Sequence, residues 1–450
     1  MEGSMKHFFK FIPFSKFDLW DTKRYTSKSI NSDFEVIKLG SCIREENKKY
    51  KLYLEEEKEF GILGVNNKTG IFDAYTQKGK EINQPYKKME TGWIAYNPYR
   101  INVGSIGIRL EEHLNEYISP AYVVFSCKDN VLPEYLFLVF KTETFNKVIN
   151  ENTTGSVRQN LSFDKLKDLE IPLPTLQEQQ AIVDAYFSKI NESNQLEIEA
   201  NNIDKEIEKY LFDELGLSKN IENQKSSKLL KTISFNKIDR WAIDYLSKYS
   251  KLIFLDNGNY NLIKLREVIE YYQYGLSEKA SEEDLGLPML RMNNINDTAL
   301  NLNDIKYLKD EKSFERFILN KNDLLFNRTN SKELVGKTAI FDRDGKYTFA
   351  SYLIRVKINE NKADVRYINE LFNSSILQIQ KDMVSRQITG QANINAQEMQ
   401  DFLFPMPPLD TQVKIANETS ELRNSKVKKL TIAAQLKHQA NEAFERAIFQ

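Results

Sequence analysis

At 450 residues, with 41% hydrophobic and 28% charged side chains, the chain can bury real cores and form two or three domains, which excludes a disordered tail. Its net charge of −1 announces no polyanionic partner through an overall basic surface, and no apolar run of about eighteen residues marks a membrane span. Cys42 and Cys127, in no paired motif, read as small buried hydrophobes, and His7, His113 and His438 lack metal-ligand spacing, so neither a disulfide framework nor a metal centre is expected.

The start lacks a basic region followed by an apolar stretch and a cleavage site, so a soluble, cytoplasmic protein is expected, and Met1-Glu2-Gly3-Ser4 ahead of Met5 reads as a remnant of expression. In chain order, Asn66-Asn67 signals a turn, Tyr122 to Phe125 a short strand and Tyr135 to Lys147 a helix. Pro172 and Pro174 then impose extended backbone, because the residue before a proline is pushed away from helical dihedrals. From Leu176 a polar helix follows, with Leu196, Ala200, Ile203, Ile207 and Tyr210 spaced as a coiled-coil seam, until Gly216 stops it. A stretch with four lysines against Glu222 leads onward. Asn257-Gly258 and Asp344-Gly345 mark further turns, Tyr352 to Val356 a strand and Tyr367 to Lys381 a helix. Pro405 and Pro407 introduce a last helix from Leu409, whose seam is Leu430, Ala433, Ala440, Phe444 and Ala447, interrupted by Lys437.

The two halves repeat one another. Phe14, Lys16, Asp18 and Trp20 recur as Phe235, Lys237, Asp239 and Trp241; Ile37-Lys38-Leu39 as Ile263-Lys264-Leu265; Tyr96-Asn97 as Phe326-Asn327; Val103-Gly104 as Val335-Gly336. Tyr135 and Phe140 match Tyr367 and Phe372, Thr154-Gly155 matches Thr389-Gly390, and Ile171-Pro172-Leu173-Pro174-x-Leu176-x-x-Gln179 matches Phe404-Pro405-Met406-Pro407-x-Leu409-x-x-Gln412. Seven matches in unbroken order imply tandem duplication, with a period too long for a solenoid. The fold class is therefore mixed α/β: a globule over 5–175, a helix over 176–216, a linker over 217–234, a second globule over 235–408 and a second helix over 409–450.

A helix of this length is roughly 50 Å long at about 1.5 Å per residue, and its narrow stripe needs a partner. The other copy's helix is the nearest candidate, and an antiparallel pair would set the two globules at opposite ends. The first helix carries ten acidic and three basic residues and the second five and seven, so their net charges of −7 and +2 favour pairing. In the alternative arrangement each helix packs back on its own globule.

The doubled proline junctions, with Asp323 to Arg328, Leu334 to Lys337 and Ser351 to Arg355, resemble the specificity subunits of type I restriction-modification systems, and the resemblance spans essentially Phe14 to the end. It implies two target-recognition domains related by a pseudo-two-fold, each reading one half of a bipartite double-stranded DNA site, with antiparallel helical spacers that set the gap. It implies two modification subunits carrying S-adenosylmethionine, possible restriction subunits, and no catalysis or cofactor in this chain. Partner contact is expected around Pro172, Pro174, Gln179, Pro405, Pro407 and Gln412. The second junction differs, with Pro408 for Thr175 and Thr411 for Glu178.

Base edges are read by Arg or Lys at guanine and Asn or Gln at adenine, whereas phosphate contacts position the protein. Candidate DNA contacts in the first copy are Asn97, Tyr99, Arg100 and Asn102, then Ser156, Arg158, Gln159 and Asn160. In the second they are Arg291, Asn293 and Asn294; Asn327, Arg328, Asn330 and Lys337; and Gln391, Asn393 and Asn395. The alternative for each is an ordinary turn or cap.

Rival classes find little support. Asn97-Pro98-Tyr99 has one proline too few for an amino-methyltransferase loop, Gly104-Ser105-Ile106-Gly107 is a poor cofactor loop, and Gly336-Lys337-Thr338 lacks the leading glycine of a phosphate loop, with Ser331 in its place. A coiled-coil scaffold, or a DNA-binding adaptor outside restriction-modification, remains the alternative, although a pure scaffold would not need two large globules.

Overall fold

The computed structural model describes residues 30–153, 160–218, 252–283, 286–296, 298–309, 312–388 and 390–450. The chain forms two compact units, one of residues 1–197 with 431–450 and one of residues 198–430. The Phe14 and Phe235 motifs and most of the linker lie outside the described residues.

Both units follow one plan. In the first, a four-stranded antiparallel sheet runs in spatial order Ile43–Glu45, Val123–Cys127, Ile94–Tyr96, Ile106–Ile108. In the second the order is Ile269–Tyr274, Leu353–Ile358, Asp323–Asn327, Thr338–Phe341, the same first-fourth-second-third arrangement. Each unit adds a parallel pairing, Glu59–Asn66 with Tyr117–Ile118 and Leu287–Leu290 with Thr348–Phe349. The turn signals fall where expected: Asn66 Oδ1 accepts from the backbone N–H of Lys68 and Thr69 between Glu59–Asn66 and Gly70–Lys78.

The single helices expected after these sheets are each broken in two. Pro133–Lys141 is followed by Glu143–Asn152, and Val365–Asn373 by Ser375–Val384. The breaks fall at Thr142 and Ser374, whose backbones are extended and whose hydroxyls both donate to the preceding turn, at Val139 O (2.7 Å) and Leu371 O (2.8 Å), and cap the next helix. Such hydroxyls offer the backbone an alternative to helix continuation.

The proline junction is built twice on one plan. Val36–Lys38 pairs antiparallel with Glu170–Pro172, and Leu262–Lys264 with Leu403–Pro405. The buried Tyr135 hydroxyl donates to Pro172 O at 2.9 Å and the buried Tyr367 hydroxyl to Pro405 O at 2.7 Å. The long helices begin just after, Leu176–Leu215 and Leu409–Phe449. Gln179, fully buried in the first turn, accepts from Leu132 N–H (2.8 Å) and donates to Asn130 O (3.1 Å) and Pro174 O (2.8 Å). Gln412 accepts from Asp364 N–H (3.0 Å) and donates to Pro407 O (2.8 Å). One side chain thus ties globule, extended segment and helix together. Where the junctions differ, Thr175 and Glu178 form a reciprocal cap in the first only.

Within each unit two long-helix segments lie antiparallel. In the first, Ser193 Oγ donates to Ala433 O, Tyr186 OH to Asn441 Oδ1, and Lys437, the residue interrupting the seam, pairs with Glu197 at 2.7 Å. In the second, Lys429 meets Glu199, Lys426 meets Asp204 and Lys414 meets Glu214. The charge complementarity expected from sequence is realised, each exposed pair contributing at most about 1 kcal/mol. Ala200, Ile203, Ile207, Ala433, Ala440 and Phe444 are buried as the seam predicts. Leu430 and Ala447 are exposed instead. Lys426 and Lys429 take the facing side near the first, and Ile448 and Phe449 turn inward beside the second.

Both packing alternatives hold in part, since each globule receives the start of its own helix and the end of the other. Phe444 packs on Tyr135 and Tyr186, with ring centroids 6.1 and 5.8 Å apart. In the second unit Ile203, Ile207, Leu211 and Leu215 join the core of Phe326, Ile354 and Tyr367. Carboxylates repeat the pattern: Glu445 accepts from Thr144 N–H and Glu208 from Ser375 N–H, at the starts of corresponding helices.

Replacing Gln412 by Leu strands the half-buried Asp364 N–H and the buried Pro407 C=O and should cost about 3 kcal/mol, at about 1–3 kcal/mol per unsatisfied group. Urea unfolding of the full chain measures this, and a change below about 0.5 kcal/mol would show that the junction does not depend on the glutamine.

Candidate nucleic-acid interface

In the first unit the loop after Ile94–Tyr96 is shaped by Asn97, whose N–H donates to Ser105 O and whose Oδ1 accepts from Tyr99 N–H, both at 3.0 Å. This leaves Asn97 half-buried and presents Tyr99, 55% exposed, and Arg100 to solvent, with Asn102 half-buried between them and Gly104, at φ 84°, closing the loop. Asn160 lies half-buried beside it, because Leu161 N–H donates to Pro98 O at 3.0 Å. The Asn160 Oδ1 atom is buried and has no hydrogen-bond partner among the described residues. Ser156, Arg158 and Gln159 lie outside the described residues.

The second unit repeats this frame. Asn327 N–H donates to Lys337 O at 2.9 Å, and Ile394 N–H donates to Arg328 O at 2.9 Å, the counterpart of the bond from Leu161 to Pro98. Thr329–Asn330 pairs with Gln391–Asn393. The structure therefore brings Arg328, Asn330, Gln391 and Asn393 together. The Arg328 guanidinium lies 5.0 Å from the ring centroid of Tyr274, while its terminal nitrogens donate to Ser351 O (3.4 Å) and Asn393 Oδ1 (3.5 Å).

Several candidates are occupied inside the fold. Asn294 is buried, accepting from Arg291 N–H and donating to Asn301 O at 2.8 Å. Asn327 is 1% exposed and donates to Met292 O, which joins the Arg291 loop to the sheet. Asn330 is 9% exposed, and its Oδ1 accepts from Ser331 N–H. Arg291 pairs with Asp304 at 2.7 Å, Asn395 caps the helix Ala396–Gln400, and half-buried Lys337 donates to Asn373 O. Asn293 and Gln391 are exposed.

The junction residues expected to meet a partner, Pro172, Pro174, Gln179, Pro405, Pro407 and Gln412, are all buried and hold helix to globule. Their side chains present no docking surface. Exposed Leu176 and Leu409 stand beside them at equivalent positions, 44% and 39% exposed.

Sequence reasoning missed the tyrosines. Tyr271, Tyr272 and Tyr274 lie on the edge strand Ile269–Tyr274, 42%, 42% and 39% exposed, with Tyr352 also exposed. Tyr271 and Tyr272 point to opposite faces of this edge strand, and both remain partly open to solvent. Their cluster ahead of Gly275 was the available signal.

Beneath the Gly336 turn, Lys381 is fully buried and donates to Phe372 O at 2.8 Å. A Cβ at Gly336 would fall 2.3 Å from its Cδ. Burial, with Lys337 nearby, lowers its pKa to about 7. A depressed lysine binds its proton less tightly in the folded chain than in the unfolded one, so stability should rise with pH between about 7 and the ordinary lysine value of 10.5. Lys381→Met should remove that rise, as read by thermal unfolding at pH 7 and pH 9.5; an unchanged pH slope would contradict it.

The model of the type I restriction modification DNA specificity domain matches the chain twice, at residues 31–209 and 257–438. The chain is similar to the type I restriction enzyme EcoKI specificity subunit of Escherichia coli strain K12, 26% identical over 164 residues, 36% of this chain and 35% of that protein. It is also similar to the EcoBI specificity subunit of Escherichia coli, 20% identical over 300 residues, 66% of this chain and 59% of that protein. The matches cover less than two thirds of either relative's length. A solved chain from work on complex assembly and conformational transition of the type I R-M system aligns over 94% of this chain and 99% of its own, with TM-score 0.57 and 13% identity, a likeness of fold. No helix among the described residues is long and apolar enough to cross a membrane.

Proposed function

Because the chain belongs to the family of type I restriction modification DNA specificity domains, we propose that it is the sequence-specificity subunit of a type I restriction-modification complex, each unit reading one half of a bipartite site in double-stranded DNA. One observation carries this reading. The two units share a loop frame down to single hydrogen bonds, Leu161 to Pro98 and Ile394 to Arg328, yet the side chains it presents differ. A duplicated scaffold with divergent polar loops suits two readers of unlike half-sites.

The finer parts of the reading follow from the same frame. The paired long helices set the gap between half-sites. Two modification subunits bind S-adenosylmethionine and carry out the methyl transfer, this chain supplying recognition alone, in the cytoplasm where the DNA is. The repeat-equivalent leucines Leu176 and Leu409 give each of these subunits an apolar anchor beside a junction. Restriction subunits add to that assembly.

Co-expression of the chain with its modification subunit, followed by mapping of adenine methylation on genomic DNA, tests the proposal. One split motif is the expected result. Methylation without a motif, or no stable complex, would point to a scaffold.

A further inference from the structure

The loops of the two units differ most sharply where the shared frame places Pro98 in one and Arg328 in the other. Both residues accept the same backbone hydrogen bond, from Leu161 and Ile394, and both stand beside an asparagine at the matching position, Asn160 or Asn393. The hydrogen bonds of the frame are common, but the chain beyond them diverges, Arg328 leading into the paired strand Thr329–Asn330 and Pro98 into a turn before the short helix Ile101–Val103.

Among the described arginines of its unit, Arg328 and the exposed Arg316, which lies over the Phe317 ring, have no carboxylate partner. Six others lie against carboxylates, among them Arg291 on Asp304, Arg355 on Asp323 and Arg423 on Glu370, and those charges are neutralised within the fold. Arg328 instead rests on neutral groups. The Tyr274 ring lies under its guanidinium, and the Tyr274 hydroxyl is itself fixed, accepting from Ala396 N–H at 3.0 Å. The bonds to Ser351 O and Asn393 Oδ1, at 3.4 and 3.5 Å, lie well beyond the usual ~2.9–3.0 Å. The Nε–H is buried with no hydrogen-bond partner among the described residues. The group is thus oriented by stacking, meets no carboxylate among the described residues, and gives up little when better acceptors arrive. Exposed Gln391 lies on the strand paired with Thr329–Asn330, and exposed tyrosines Tyr271 and Tyr272 share the Tyr274 strand. Tyr272 shares the Tyr274 face, their ring centroids 6.4 Å apart, whereas Tyr271 lies on the other face against Arg355.

We propose that Arg328 is a specificity-determining residue of the second unit, its guanidinium donating in bidentate fashion to O6 and N7 of a guanine in the major groove, with no equivalent contact made by Pro98 in the first unit. This rests on the DNA-reading function above and assigns one base to one residue.

The test is selection of duplex oligonucleotides from a randomised pool by the full chain, followed by sequencing and binding measurements on the enriched site. The wild-type chain should enrich a split motif with a guanine in one half. Arg328→Ala should lower the preference at that single position by about 10-fold or more and leave the other half unchanged. Arg328→Gln should move the preference there from guanine towards adenine, a gain that a misfolded chain cannot produce. An unchanged motif in both variants would overturn the assignment. So would a uniform loss of affinity at every sequence with a shallower salt dependence, the signature of a phosphate contact. Failure of the wild-type chain to enrich any motif would instead remove the DNA-reading function, and this assignment with it.

Discussion

Everything else in the molecule depends on how a long helix is fixed to a globule by one buried amide. Gln179 and Gln412 each sit in the first helical turn with essentially no solvent exposure, where an unsatisfied amide would be costly. Each is satisfied only if the loop before the first short helix, the proline segment and the long helix keep one mutual geometry. The tyrosine hydroxyls on Pro172 and Pro405 act on the same strand. Helix direction relative to the four-stranded sheet of each unit is therefore a property of the fold, and a duplicated chain inherits it twice. The end of the other helix then completes each core, so neither unit is finished by its own copy alone.

The parts of this arrangement that were legible in the sequence are those that admit few alternatives. The paired prolines and the glutamine five residues after the second proline recur because strand, helix start and buried amide all constrain them, and Gly216 ends its helix at φ 67° as expected. The opposite charges of the helices were readable as composition and appear as lysine–carboxylate pairs. The interruptions at Thr142 and Ser374 were not readable, because apolar periodicity continues across them and only the hydroxyl geometry reveals the cap. Leu430 and Ala447 misled because a seam counted at fixed spacing ignores the lysines and the globule that compete for the face.

The candidate interface was legible in outline and misleading in detail. Polar loop residues drew attention to the right loops, but residue type could not separate an asparagine that builds a loop from one that the loop displays. Asn294 and Asn327 are structural by burial, whereas Tyr99, Arg100, Asn293 and Gln391 are presented. The tyrosines of Ile269–Tyr274 escaped because a strand's place at a sheet edge is a tertiary fact. What unifies the two faces is a conserved hydrogen-bond frame carrying unlike side chains, as expected where one scaffold must address two different sequences.

The central claim is that each unit reads its half-site independently on a common frame. The most direct measurement exchanges the described globule of the first unit, residues 30–175, for its counterpart from another family member, keeping both long helices, and maps methylation in cells that supply the modification subunit. The account predicts that one half of the methylated motif changes while the other half and the spacing persist. A change in both halves, or in the spacing alone, would contradict it.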